Sequence, residues 1–278
     1  MWGWTVGLFL LTFALGIVAV LAGVGGGVIF VPVLAAIAPF HLDFVRGAGL
    51  FVALSGAIAA GPRLLGQGVA SLRLGLPVSL ITSVSAIVGA TVGLTIPVKI
   101  VHRILGIAIL CVLAIMFTAR KIEFPHVARA DTLAAALKLS GIYHEASQGG
   151  DISWRIHRTV HGLAAFVVVG FMAGLLGLGA GWANVPVLNL IMGAPLKVAV
   201  ATSLFVLSIT DTAAAWIYVN SGAILPVLAV PSVAGMMLGS MLGARLLTKT
   251  RPAVVRYLVL IMLLVAGVRA LVQGFGGT

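Results

Sequence analysis

Long apolar runs separated by short polar gaps cover almost the whole chain. Each half contains a glycine-interrupted run followed by three continuous runs, and a polar stretch at 119–158 separates the halves. The continuous runs approach the roughly 20 residues that a helix needs to cross a bilayer. The runs that follow the glycines, 28–39 and 182–193, are about half that length. This pattern predicts an all-α polytopic membrane protein with one broken helix in each half.

Composition agrees with that prediction. Of the 278 residues, 61% are hydrophobic and 8% are charged, whereas soluble domains carry about 25% charged residues. The 17 Lys and Arg side chains lie almost entirely in the gaps, where they anchor helices at lipid headgroups. Because no basic stripe is interleaved with aromatic residues, the charge does not indicate nucleic-acid binding. The N-terminal segment lacks the features of a signal peptide and is predicted to be the first membrane helix.

The glycine-rich interruptions belong to an internal repeat. Residues 16–34 and 170–188 are identical at ten of nineteen positions, and each segment is an apolar run, a cluster of glycines and a run ending in V-P-V-L. The same offset of 154 residues aligns Gly89-Ala90 with Gly243-Ala244. We therefore divide the chain into a first transmembrane repeat (1–118), a linker (119–158) and a second transmembrane repeat (159–278).

The two glycine clusters, residues 23–27 and 177–181, are the predicted substrate site, and they are here called the first and second knots. Glycine lowers helix stability by roughly 1 kcal/mol relative to alanine, and irregular backbone at membrane depth must face protein, water or a ligand. Broken helices at matching positions of two halves indicate the binding site of a transporter. The predicted backbone contacts come from five glycines: Gly25, Gly26, Gly27, Gly179 and Gly181.

Polar side chains follow the second knot but not the first. Asn184 occupies the position of Phe30, and Thr202 and Ser203 are predicted to open the following helix, where the first copy is apolar. An amide and two hydroxyls could donate hydrogen bonds to an anion at a helix N-terminus. The alternative is that all three cap nearby backbone groups. The predicted site is therefore asymmetric, with its side chains from the second half and mainly backbone N–H groups from the first.

Two charged residues are further candidates. Asp211 lies far inside an apolar run, where a carboxylate is costly and a functional role is the default, so it is a candidate for proton coupling. The alternative places it near the interface as a cap. Arg46 follows Asp43 by three residues and could bind an oxyanion through its planar fork, or pair with Asp43 as an interfacial anchor.

The distribution of Lys and Arg bears on how the halves are oriented. If each glycine-broken run crosses once, the two sides carry nine and eight basic residues, which decides nothing. If the two arms of each broken run reverse the chain, the split becomes thirteen against four. By the positive-inside rule, the second arrangement predicts inverted repeats with a cytoplasmic linker.

The linker shows weaker local signals. Residues 131–141 predict a short helix stopped by Gly141, and residues 141–145 and 151–156 predict a β-hairpin around A-S-Q-G-G. A disordered tether is the alternative. The lone Cys111 is predicted to lie in the core, and with scattered histidines and no enzyme motif the sequence predicts no cofactor, metal or catalytic residue.

The duplicated G-x-G-G-G and G-x-G-A-G knots, each followed by V-P-V-L, resemble the sulfite exporter TauE/SafE family. The segments P-L-K-V-A-V-A-T-S-L-F (195–205) and P-x-x-x-G-x-x-x-G-x-x-x-G-A (231–244) are similar to that family too. The resemblance covers 16–118 and 159–272 but not the linker. It implies a multi-pass inner-membrane transporter that moves small sulfur-containing anions such as sulfite or sulfoacetate.

The functional expectation is therefore a secondary transporter, acting as an exporter of a sulfur oxyanion. An anion channel and a non-transporting scaffold with the linker as docking module are the alternatives. The expected partners are a small anionic substrate and the lipid bilayer, with no nucleic acid, and a homodimer is compatible with the sequence.

Overall fold

The computed structural model describes residues 2–23, 25–37, 40–118, 124–125, 127, 129–145 and 149–275. The first half of that part of the chain contains five helices: α1 (Trp2–Ala22), α2 (Gly27–Ile37), α3 (Leu42–Gly66), α4 (Leu72–Gly93) and α5 (Val98–Thr118). The linker contains α6 (Thr132–Ala136), β1 (Ser140–Glu145) and β2 (Gly150–Arg155). The second half contains α7 (Thr159–Leu176), α8 (Gly181–Pro186), α9 (Leu196–Asn220), α10 (Pro226–Leu247) and α11 (Pro252–Phe275).

Six of the described helices are long and apolar enough to cross a membrane, namely α1, α3, α4, α7, α9 and α10. Their outward faces carry large apolar side chains, including Leu80, Val168 and Trp216, which are more than 60% exposed. In water such surfaces would aggregate, whereas in a bilayer they contact lipid. The chain is a multi-pass helical membrane protein.

The helix boundaries repeat along the chain. Helices α3 and α9 share both ends at the offset of 154 residues, and so do α4 and α10. Helix α2 corresponds to α8 together with the π-helical segment Val187–Ile191 that continues it. In each knot two glycines adopt left-handed backbone angles, with φ of 67° and 75° at Gly23 and Gly25, and of 66° and 79° at Gly177 and Gly179. Side chains are strained in this region, so glycine allows the chain to turn twice within three residues.

Helices from different halves pack in parallel pairs. Three glycines of α10 lie on backbone carbonyls of α1 in the same order along both helices: Gly235 on Phe9, Gly239 on Phe13 and Gly243 on Ile17. Glycines of α4 likewise lie on α7: Gly89 on Phe171 and Gly93 on Leu175. Small residues allow such close helix approach, which is how helices associate where lipid removes the hydrophobic driving force.

The remaining contacts fix the order of the inner helices. Gly75 of α4 lies beside Phe205 of α9. Further along both helices, the hydroxyl of Thr82 in α4 is hydrogen-bonded to that of Thr210 in α9, so α4 and α9 are parallel. Helices α5 and α11 run antiparallel, because Gly106 packs on Leu271 whereas Gly274 packs on Arg103. The long helices α3 and α9 contact each other, and α3 also packs on α10 as α9 does on α4.

The linker forms a small unit against the second half. Strands β1 and β2 pair antiparallel, from Ser140 opposite Arg155 to Glu145 opposite Gly150. Tyr143, Trp154 and Ile156 are buried, so the hairpin packs rather than extending into solvent. Two strands alone are marginally stable in water, and this packing supplies the missing contacts.

The prediction that the linker helix runs to Gly141 was wrong. Helix α6 ends at Ala136, Lys138 adopts a left-handed φ of 53°, and Gly141 lies in β1 against the ring of Trp154. The short apolar segment favoured helix locally, but strand pairing with residues further along the chain determines its second half.

Asp131 joins the linker to the start of α7. Its carboxylate accepts a hydrogen bond from the Ala134 N–H at 2.6 Å and from the Thr159 N–H and hydroxyl at 2.5 and 3.0 Å. Burial of Asp131 opposes ionisation, but these hydrogen bonds together outweigh it and lower the pKa below the ordinary 3.8. One carboxylate therefore caps both α6 and α7.

Cys111 is exposed on α5, so the prediction that it lies in the core was wrong. Within a membrane helix an apolar sequence run does not distinguish a protein-facing side chain from a lipid-facing one.

Candidate functional site

The two knots meet beside the middle of α3. A Cβ built on Gly25 would lie 3.6 Å from the Ala53 Cβ, and one built on Gly179 would lie 3.3 Å from the same atom. A Cβ on Gly27 would lie 2.6 Å from the Leu178 carbonyl oxygen of the other knot. The two breaks in the helices therefore form one region, as is required if they hold one ligand.

Asp211 of α9 reaches the second knot. Its side chain is fully buried, and a Cβ on Gly179 would come within 2.8 Å of Oδ2 and 3.2 Å of Oδ1. The backbone N–H of Ala180 faces the carboxylate, but among the described residues neither oxygen has a hydrogen-bond partner of ordinary geometry. A fully buried carboxylate with so little hydrogen bonding is costly, so Asp211 is a strong functional candidate.

Asn184 is also buried without partners. Its side-chain nitrogen and oxygen make no hydrogen bond to any described residue, and the residue is 0% exposed. The alternative of a local backbone cap is therefore wrong for the side chain as it stands in this structure. The large majority of buried side-chain polar atoms in proteins are paired, so this unpaired amide requires an explanation.

The sequence reasoning missed Trp182, which is nearly buried and whose indole N–H has no partner among the described residues. It follows Gly181 directly, where the first copy has Val28, and that difference between the copies was the available signal. Residues two apart on a helix face different directions, so Trp182 and Asn184 present donors on different sides of α8.

Thr202 and Ser203 do not open the helix, so that prediction was wrong. Helix α9 begins at Leu196, so Thr202 and Ser203 are its seventh and eighth residues, about two turns from its start. Thr202 accepts a hydrogen bond from the Ser71 N–H at 3.1 Å, and Ser203 donates one to the Gly23 carbonyl at 2.7 Å. Ser203 thus holds the first knot in place, and both hydroxyls act on the backbone in this conformation.

Arg46 is buried within the protein rather than exposed at its surface. It pairs with Asp43 at 3.2 Å, as one alternative expected, but only 2% of its side chain is exposed. The guanidinium donates to the carbonyls of Leu175, Leu176 and Gly93, which end α7 and α4. A cation at the C-terminal end of a helix is favoured by the helix dipole. Because its donors are used in this way, Arg46 is not arranged to bind an oxyanion here.

Further buried hydroxyls surround the knots. Thr210, next to Asp211, shares a 2.7 Å hydrogen bond with Thr82 of α4. The Ser240 hydroxyl of α10 has no described partner and would lie 2.9 Å from a Cβ on Gly56. The sequence pattern did not distinguish these residues from small packing residues.

The first knot is packed by an apolar side chain. The Met236 sulfur would lie 2.8 Å from a Cβ on Gly26, and Phe30 is fully buried. The unpartnered side chains next to the knots belong to the second half. This is the half from which the comparison of the two copies predicts that the polar side chains come. Among the described residues no three His, Cys, Asp or Glu side chains are grouped to hold a metal ion.

Comparison with known proteins identifies the family to which this architecture belongs. A model described as sulfite exporter TauE/SafE matches residues 8–270, a range that includes both knots and the linker. The chain belongs to this family. A relative in Bacillus subtilis (strain 168), named "Probable membrane transporter protein YunE", is 33% identical over 113 residues. That alignment spans 41% of the TauE/SafE chain and 41% of the relative, and no solved structure matches.

Proposed function

We propose that this TauE/SafE protein is a secondary transporter that exports a small sulfur-containing oxyanion, either sulfite or an organosulfonate such as sulfoacetate. The family assignment and the name of the relative support membrane transport in general. The observation that carries the proposal is the burial of two costly polar groups beside the two touching knots: the Asn184 amide has no described partner, and the fully buried Asp211 carboxylate faces the Ala180 N–H. A protein that only packed its helices would gain nothing from two such costly groups.

The available donors suit an oxyanion. The Asn184 amide provides N–H groups from α8, and the knots provide backbone N–H groups. Hydrogen bonds to a charged group contribute about 1.5–3 kcal/mol each, so a few donors are enough without a permanent cation. Arg46 is already engaged with helix carbonyls, and it does not need to take part.

Asp211 makes transport dependent on protons in this proposal. An ionised carboxylate beside Gly179 would repel an anion in the same low-dielectric region, so the anion binds when the carboxyl carries a proton. A divalent anion that leaves with one proton still carries one negative charge outward. An inside-negative potential favours that movement by about 2.3 kcal/mol per 100 mV.

The test is uptake and release of labelled sulfite, sulfoacetate, taurine, sulfate and thiosulfate in proteoliposomes between pH 5.5 and 8.5, which are conditions chosen to bracket neutrality. We expect saturable flux of at least one sulfur oxyanion, with a pH dependence that Asp211→Asn removes. Asp151→Asn, in the exposed part of the hairpin, is the control and should keep the wild-type profile. An unchanged profile in Asp211→Asn would refute the proton role.

A scaffold is the second candidate, because the close contact of the knots is also what helix packing alone would produce. It predicts no flux of any of these anions, and a channel predicts flux that does not saturate. The homodimer stays a prediction.

We also propose that the halves are inverted and that the linker is cytoplasmic. The parallel pairs α1–α10, α4–α7 and α4–α9 support this, because short turns reverse the chain between α3 and α4 and between α9 and α10. Helices α1 and α3 then point the same way, and α1 and α7 point in opposite directions. The knot and α2 must therefore carry the chain back across the membrane, which corresponds to the thirteen-to-four distribution of basic residues.

A further inference from the structure

A buried ion pair attaches the linker to the transport helices. Lys197, in the first turn of α9, donates to Glu145 of β1 at 2.8 Å, and the two side chains are 3% and 0% exposed. The Lys197 ammonium also reaches the Thr248 carbonyl oxygen, just beyond the end of α10, at 3.5 Å. The Tyr143 hydroxyl donates to the other Glu145 oxygen at 3.3 Å. The linker thus supplies the acid for a cation that would otherwise be buried alone.

The same end of the molecule is covered by further linker contacts. The His157 N–H donates to the Met192 carbonyl at 3.0 Å, and a Cβ on Gly193 would lie 2.8 Å from the His157 ring. The hairpin and the segment after it therefore lie over the turn that leads into α9. Beneath this turn, about two helical turns into α9, Ser203 donates a hydrogen bond to the Gly23 carbonyl of the first knot.

The opposite end of the molecule has a matching arrangement. Arg46, in the second turn of α3, is buried, pairs with Asp43 and donates to the Gly93 carbonyl at the end of α4. Helices α3 and α9 are repeat mates, as are α4 and α10. Each end thus has a buried cation near the start of one repeat helix that reaches the carbonyl end of another. The acid comes from the membrane helix at one end and from the linker at the other.

We propose that these two ion pairs, one buried on both sides and one buried at its arginine, are the gates at opposite ends of the pathway through the knots, and that the linker hairpin is the lid of its own end, held closed by Glu145 and Lys197. Breaking a buried pair is costly, but replacing it with apolar residues often is not, so such pairs are better suited to define a state than to add stability. The proposal rests on the transport function for its purpose. Its test measures accessibility rather than flux, so the two can fail separately.

The experiment uses single cysteines in a Cys111→Ala background and a membrane-impermeant thiol reagent. Leu204→Cys reports the linker end and its repeat mate Leu50→Cys reports the other end, and both positions are buried. We expect Glu145→Gln to increase labelling at position 204 by about tenfold or more, with little change at position 50. Asp43→Asn should do the reverse.

The hairpin provides a matched control. His144 and Asp151 form an ion pair of similar length, 2.9 Å, whose side chains are 65% and 69% exposed. Exposed pairs contribute little, so Asp151→Asn should leave both labelling rates unchanged.

If Glu145→Gln does not yield inserted protein, the exchange of charges decides. Glu145→Lys combined with Lys197→Glu restores an opposite pair and should give slow labelling at position 204. Fast labelling in the exchanged variant, no change in Glu145→Gln, or equal increases at positions 204 and 50 would each overturn the proposal.

Discussion

Gly179 allows a sharp test of the candidate site because the chain contains two matched glycines. Gly25, Gly179 and Gly222 have left-handed φ values of 75°, 79° and 71°. Alanine at any of them incurs the same backbone penalty, roughly 1–2 kcal/mol. The surroundings differ. A Cβ on Gly222 would meet nothing within 4 Å, and one on Gly25 would lie 3.3 Å from the flexible end of Leu207.

At Gly179 the new methyl group would instead lie 2.8 Å from the Asp211 carboxylate and 3.3 Å from Ala53. Ordinary carbon–oxygen contacts are longer, so the carboxylate must move, and overpacking of this kind typically adds about 1–3 kcal/mol. We therefore expect Gly222→Ala to lose only the backbone term and Gly25→Ala slightly more. Gly179→Ala should lose about 2–5 kcal/mol in total.

Two measurements separate these terms. Denaturant unfolding of the purified protein in detergent gives the free energy of unfolding, and anion flux per inserted molecule gives transport. Flux should be near wild type in Gly222→Ala and reduced at least about tenfold in Gly179→Ala, because displacement of Asp211 needs to raise the barrier to transport by only about 1.4 kcal/mol to give that factor. If Gly179→Ala matches Gly222→Ala in both measurements, the contact between Gly179 and Asp211 has no functional consequence.

Three further outcomes are expected. Asn184→Ala should weaken binding of the transported anion about tenfold to a hundredfold, as measured by titration calorimetry, while Phe30→Leu should leave the affinity unchanged. Equal losses of affinity in the two variants would contradict the assignment of the polar side of the site to the second half. Arg46→Met should destabilise by at least about 1–3 kcal/mol in denaturant unfolding because it leaves three buried helix carbonyls without their donor, whereas the exposed Arg63→Met should stay within about 0.5 kcal/mol. Asp131→Asn should cost about 1 kcal/mol at neutral pH. Since the folded pKa of Asp131 is lowered, its contribution is complete above the ordinary 3.8 and is lost as pH falls through the folded value, so wild type and variant should converge in acid; a constant difference would contradict the double cap.

The apolar pattern was sufficient to predict the six described helices that can cross a membrane, because a crossing helix needs roughly 20 mostly apolar residues. The duplication predicted which helices are equivalent, and α3 and α9 share both boundaries at the predicted offset. The polar difference between Asn184 and Phe30 also pointed to side chains that the structure leaves without partners.

The sequence could not predict partners that lie far along the chain. Arg46 finds two of its carbonyl acceptors about 130 residues away, and Ser203 finds Gly23 about 180 residues away. Nothing near either residue indicates those contacts. Trp182 was overlooked for a related reason, since a tryptophan in an apolar run is usually a packing residue, and only the missing partner of its N–H sets it apart.

The packing of α1 on α10 has a consequence for biosynthesis. The first helix enters the bilayer roughly 200 residues before its glycine-lined partner has been made. During that interval its contact face is covered by lipid, which is tolerable because acyl chains are as apolar as the side chains they replace. Helix α4 is already in the bilayer when α7 is made, so the second half can pack on the first as it is synthesised. Helix α1, in contrast, packs on its partner only after α10 has been made. A ribosome that stalls before α10 therefore leaves an N-terminal helix that is inserted but unassembled, which is the form that membrane quality control would meet.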